Sequence, residues 1–114
     1  MHELGIVFHI MDTLEAVAEE NELSEIHSVT VEIGEVSTVV PDYLTDCWRW
    51  AVQKKELLTQ CEMKVEVLPA VTLCESCGKE YPTVAHGRIC PYCGSEKTYL
   101  LRGNELTIKE IEAI

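Results

Sequence analysis

The first 48 residues contain no lysine or arginine, although they contain eleven aspartates and glutamates. Arg49 is the first basic residue, and the rest of the chain carries nine acidic and nine basic residues, so the N-terminal part accounts for the whole net charge of −11. Because a nucleic-acid-binding surface needs clustered lysine and arginine, we expect no nucleic-acid partner. Two interpretations of the acidic half stay open: a solvated surface, or a surface that attracts cations or a basic partner.

Long apolar runs are also absent. No segment approaches the roughly 20 apolar residues of a membrane-spanning helix. The N-terminus lacks the basic start and apolar core of a secretory signal peptide. We therefore predict a protein without membrane association, located in the cytoplasm, where thiols stay reduced.

Four of the six cysteines form two CxxC pairs. Such a pair places two sulfurs on one short turn, and two pairs complete the tetrahedral shell of Zn(II). A pair of disulfides is the alternative, but it requires an oxidising compartment. A closed four-thiolate shell leaves no open coordination position, which favours a structural role and argues against an enzyme. The predicted zinc ligands are Cys74, Cys77, Cys90 and Cys93.

Periodicity predicts an α+β fold, in which two helices pack on a small three-stranded sheet. Apolar residues at helical spacing define the first helix: Leu4, Val7, Phe8, Met11, Leu14 and Ala18. The second helix begins at Pro41, and strands are expected at Val29–Ile33, Cys61–Val67 and Glu105–Glu112. If the last strand returns to the first sheet, the two CxxC pairs belong to an inserted zinc-ribbon-like module.

The N-terminus carries a potential chelate in Met1-His2-Glu3. The Met1 amine, the His2 backbone nitrogen and the His2 imidazole can occupy three corners of a square around a metal ion, a geometry that favours Ni(II) or Cu(II) over zinc. On these residues alone, a simple exposed chain end is the commoner interpretation of a second-position histidine.

Three other side chains carry weaker signals. His9, on the first helix, and His86, between the CxxC pairs, are candidate extra metal ligands, but surface histidines are commoner. Trp50 falls off the apolar stripe of the second helix and indicates a contact surface.

Motifs along the whole chain resemble one family in the same order. They are Met1-His2-Glu3, Ile33-Gly34-Glu35, the two CxxC pairs ending in Cys93-Gly94-Ser95, and Ile108-Lys109-Glu110-Ile111-Glu112. Together they resemble the HypA/HybF hydrogenase-maturation nickel metallochaperones. The chain departs from the family at Leu4-Gly5 and lacks its usual Gly-Thr after the second helix, but neither departure removes a proposed ligand.

The resemblance implies a protein that carries nickel to the precursor of the [NiFe]-hydrogenase large subunit. It implies Ni(II) held by Met1, His2 and Glu3, Zn(II) held by the four cysteines, and a maturation-pathway GTPase as a second partner. We accordingly expect a nickel-binding domain at 1–68 plus 102–114 and a zinc-binding domain at 69–101. A homodimer is left open. The competing hypothesis is an acidic zinc-ribbon adaptor that binds a partner without transporting metal.

Overall fold

The computed structural model describes residues 3 to 113, which form two compact units. Residues 3–32, 38–66 and 107–113 make up the first, called here the helical unit; residues 33–37 and 67–106 make up the second, the knuckle unit. Two single 3₁₀ turns, Val52–Lys54 and Glu56–Leu58, follow the second helix. The helices and strands are α1 (Glu3–Glu20), β1 (Ile26–Gly34), α2 (Pro41–Ala51), β2 (Glu62–Leu68), β3 (Val71–Cys74), β4 (Glu80–Pro82), α3 (Thr83–His86), β5 (Thr98–Arg102) and β6 (Leu106–Ala113).

The sheet of the helical unit has the strand order β2-β1-β6, and α1 and α2 pack against each other on it, which confirms the predicted fold class. Hydrogen bonds at the end of β1 fix the strand directions. The Glu35 amide donates to the Leu68 carbonyl at the end of β2, and the Gly34 amide donates to the Glu105 carbonyl just before β6. The central strand therefore runs parallel to β2 and antiparallel to β6.

The buried face of α1 is shifted from the predicted stripe. Val7, Ile10, Met11, Leu14 and Ala18 are buried, whereas Leu4 and Phe8 are 38% and 46% exposed. The face of α1 that meets the core therefore includes Ile10 and excludes Phe8, although both residues are compatible with helical spacing. Two large apolar side chains are consequently left at the surface of the first two turns.

The second helix begins at Pro41 as predicted, since proline suits the first helical position. Leu44, Trp48 and Ala51 are buried, and the Trp48 indole donates to the Cys61 carbonyl at 3.0 Å. This hydrogen bond satisfies the one polar atom of a large buried aromatic side chain and ties α2 to the start of β2. Cys47, on the same helix, is only half-buried.

The two cysteines of the helical unit should differ in reactivity. Burial raises the pKa of the Cys61 thiol to about 11, so at pH 8 on the order of one thiol in a thousand is ionised. We expect iodoacetamide at pH 8 to alkylate Cys47 at least about tenfold faster than Cys61. Peptide mapping by mass spectrometry would give both rates, and faster alkylation of Cys61 would contradict the burial described here.

The second face of this sheet is polar. Lys64 on β2 lies 3.3 Å from Glu112 on β6, and Glu66 on β2 lies 2.9 Å from Lys109 on β6. The Ser28 hydroxyl, on the central strand, donates to Glu112 and, with the Lys64 ammonium, lowers the pKa of that carboxyl. These exposed pairs contribute little stability, because exposed charges are screened by water and salt.

The knuckle unit contains an antiparallel sheet of order β4-β3-β5, in which Leu73 is paired with both Glu80 and Tyr99. The segment 33–37, the continuation of β1, packs with this unit. The Val36 amide donates to the Gly103 carbonyl, and the Glu35 carboxylate accepts the Ala70 amide at 2.9 Å. Of the motif residues, Glu35 therefore lies beside the start of the segment 67–106, and Gly34 lies beside its end.

None of the helices formed by residues 3–113 has the length and apolar character needed to cross a membrane.

Candidate metal centre

Each CxxC pair lies on a tight turn of the same construction. The Gly78 amide donates to the Cys74 carbonyl at 2.8 Å, and the Gly94 amide donates to the Cys90 carbonyl at 2.9 Å. Both glycines have positive φ, +75° and +74°, a conformation that most other residues adopt only with strain. A hydrogen bond of 2.8 Å between the Ser76 and Ser95 hydroxyls links the two turns.

The four thiols meet at one point. Their sulfurs all lie within 4.8 Å of one another, and two hydrogen bonds between thiols join the two turns: 3.6 Å from Cys74 to Cys93 and 3.7 Å from Cys77 to Cys90. Four sulfurs around a tetrahedral zinc ion, with bonds of about 2.3 Å, are separated by about 3.8 Å. The donor set and its spacing therefore fit zinc.

The thiols titrate unequally. The pKa of Cys74 is lowered to about 7, chiefly because the Cys77 amide donates a hydrogen bond to its sulfur, although burial acts in the opposite direction. At Cys93 the Ser95 amide acts to lower the pKa, but hydrogen bonds with the neighbouring thiols and burial raise it to about 12. Because four thiolates repel one another, a divalent cation is needed to hold all four ionised, and its binding must displace protons.

One side of the cluster is covered and the other is open. Cys74 and Cys90 pack with Tyr81 in the core of the knuckle unit, whereas Cys77 and Cys93 are exposed. The Tyr81 hydroxyl donates to the Gly87 carbonyl at 2.9 Å, which holds the chain between the two pairs. Tyr81 was not predicted from the sequence; its only signal there is an aromatic residue between Glu80 and Pro82 on β4.

His86 does not join the cluster. Its ring meets the edge of the Tyr81 ring at a centroid distance of 5.8 Å, and within residues 3–113 the four cysteines are the only group placed to share a metal ion. The four-thiol site is thus complete without a histidine.

Of the three predicted nickel ligands, only Glu3 lies in the described part of the chain. It is the first residue of α1, where a carboxylate interacts favourably with the helix dipole. Met1 and His2 lie outside the described residues, so their nickel-binding role remains a prediction. His9 is exposed on α1.

The fold and the four-thiol cluster define a small α+β metalloprotein with an inserted zinc-ribbon-like module. The family model described as hydrogenase/urease nickel incorporation metallochaperone, HypA, matches residues 1–113. The chain belongs to this family.

Relatives match along nearly the whole chain. The hydrogenase maturation factor HypA of Geobacter metallireducens is 35% identical, and the match covers 98% of each chain. The hydrogenase maturation factor HybF of Klebsiella pneumoniae is 29% identical with the same coverage. The solution structure of the Ni metallochaperone HypA from Helicobacter pylori covers all of this chain and 98% of its own, with a TM-score of 0.75 and 21% identity, and thus shares the fold.

Proposed function

We propose that this protein binds Ni(II) through Met1, His2 and Glu3 and delivers it to the large-subunit precursor of a [NiFe]-hydrogenase. The observation that carries the proposal is the family match, which begins at residue 1 and so includes the Met1-His2-Glu3 start. The relatives named as hydrogenase maturation factors favour a hydrogenase as recipient.

The proposed site suits transfer because it is incomplete. Met1 and His2 supply three nitrogens of a square, so one position is left for Glu3 or for a ligand of the receiving protein. An open position allows nickel to leave by ligand exchange. A maturation-pathway GTPase is the proposed partner for this step, and the reaction involves no covalent chemistry by the protein, which therefore acts as a carrier and not as an enzyme.

Zinc has the structural role in this proposal. The four thiolates of Cys74, Cys77, Cys90 and Cys93 would hold Zn(II) in a closed shell and so keep the knuckle unit folded. Retention of reduced thiols is in keeping with a cytoplasmic protein.

Nickel titration of three proteins tests the N-terminal site. We expect His2→Ala, and separately an uncleaved extension of one residue before Met1, to weaken Ni(II) binding at least about a hundredfold, since each removes nitrogens from the chelate. Isothermal titration calorimetry and the absorption bands of square-planar nickel would both report the loss.

His9→Ala is the matched control, because His9 is an exposed histidine on α1, the helix that begins at Glu3. It should leave nickel affinity unchanged. Equal affinity in all the proteins would exclude the N-terminal site and favour the adaptor hypothesis, in which the acidic surface binds a partner without cargo.

A further inference from the structure

The first turns of α1 and the outer face of α2 form an exposed apolar strip. Leu4 and Phe8 lie one turn apart on α1, and Tyr43 and Trp50 lie two turns apart on α2, with the half-buried Cys47 between them. Tyr43 and Trp50 are 62% and 51% exposed, in contrast to Trp48, which is 1% exposed. Exposed apolar side chains that cluster in this way are typical of an interaction surface.

A groove of about 350 Å³ runs through this strip, lined by Leu4, Cys47, Trp50 and the carboxylate-bearing Asp46. It can take one or two apolar side chains. The Lys54 ammonium lies 4.9 Å from the centre of the Trp50 ring, so this ring already attracts a cation within its own unit.

The net charge of the helical unit favours a basic occupant for the groove. The helical unit carries fifteen of the twenty acidic residues and five of the nine basic ones. Helix α1 has five acidic residues and no basic residue, and the one arginine of α2, Arg49, is paired with Asp46 at 2.8 Å. A second copy of such a surface, or an anionic membrane, would be repelled, whereas a basic segment would be attracted.

We propose that the groove lined by Leu4, Cys47 and Trp50, together with the exposed Phe8 one turn from Leu4, binds an amphipathic, basic segment of a partner protein. An apolar side chain of that segment fills the groove, and its lysine or arginine side chains are attracted by the acidic helical unit. Leu4 directly follows Glu3, so the bound segment lies next to one of the residues proposed above as nickel ligands. An effect of this binding on nickel exchange would depend on the proposed function, whereas the binding of the segment itself does not.

A designed helical peptide with one leucine face and one lysine face is a suitable probe. We expect it to bind the zinc-loaded full chain, with amide shifts at Leu4, Phe8 and Trp50. We expect Phe8→Ala and Trp50→Ala each to weaken binding at least about tenfold, because aromatic anchors dominate such interfaces. Calorimetry gives the affinities, and nickel titration of both variants should be unchanged, which separates this test from that of the nickel site.

Two variants of the knuckle unit serve as matched controls, and a changed peptide tests the contribution of charge. Val84→Ala and Tyr99→Ala remove exposed apolar side chains from the knuckle unit, Tyr99 being as exposed as Phe8 at 46%, and both should bind the peptide as tightly as the parent. A peptide with serine in place of leucine keeps the charge and should bind at least about tenfold more weakly.

Three results would overturn the proposal. The first is equal loss of affinity in the knuckle-unit variants, which would show non-specific apolar contact, or equal binding of the serine peptide, which would show charge attraction without a groove. The second is a dimer in sedimentation that Phe8→Ala dissociates, which would assign the strip to a second copy of this chain. The third is tighter peptide binding after removal of residues 1 and 2, which would show that the chain's own N-terminus occupies the groove.

Discussion

Cys90→Ser is expected to lose zinc and unfold the knuckle unit while the helical unit stays folded. The knuckle unit has a core of only a few side chains, among them Cys74, Tyr81 and Cys90, and units of this size are usually stable only with a metal or disulfides. Structural zinc contributes about 10–16 kcal/mol in zinc-finger peptides, so loss of one of four ligands should lower zinc affinity by at least about a hundredfold. Zinc content, measured by plasma mass spectrometry, and limited proteolysis between residues 67 and 106 would show both effects.

Cys47→Ser is the matched control, because it removes a half-buried thiol that lies outside the cluster. It should retain one zinc per chain and the protease resistance of the parent. A zinc-free Cys90→Ser protein whose knuckle unit still resists protease would contradict the structural role of the metal.

Gly34→Ala should lower the free energy of unfolding by about 3 kcal/mol or more, as large overpacking changes do. A Cβ atom at position 34 would lie 1.9 Å from the Gly103 carbonyl oxygen and 2.4 Å from the Asn104 amide nitrogen, so backbone would have to move. That movement would break the hydrogen bonds that the Gly34 and Val36 amides donate to the Glu105 and Gly103 carbonyls. Urea unfolding of the zinc-loaded protein, followed by circular dichroism, measures the change.

The matching control for Gly34→Ala has the opposite sign. No atom lies within 4 Å of a Cβ placed at Gly5, which is on the exposed side of α1, so Gly5→Ala should stabilise the protein by about 0.5 kcal/mol through helix propensity. A Gly34→Ala protein as stable as the parent would show that the approach of residues 34 and 103 is not required.

The metal cluster was predictable because its signal is local. Each CxxC turn places two sulfurs on one short loop whatever the rest of the chain does, and the glycine after each pair marks the positive φ that the structure shows. Strand β1 was predictable for a similar reason, since the alternation of Val29, Val31 and Ile33 with polar residues fits only an extended chain with one buried face.

Features that depend on a distant partner were not predictable. Phe8 and Ile10 are both apolar and both compatible with helical spacing, and only the position of the core decides which one is buried. The sequence around Gly34 is typical of an ordinary strand end. The need for glycine there could not be predicted, because the neighbour that requires it, Gly103, is nearly 70 residues away in sequence.

The sequence by itself determined the acidic balance, the two paired-cysteine turns and the α+β class, since composition, short spacing and periodicity are properties of the local chain. Only the tertiary structure decided that residues 33–37 pack with the knuckle unit, that Phe8 is exposed, and that Leu4 and Trp50 line an open groove. The reason is physical: long-range backbone contacts and exposure depend on which surfaces of helices and strands meet, and one chain's pattern is compatible with several such arrangements.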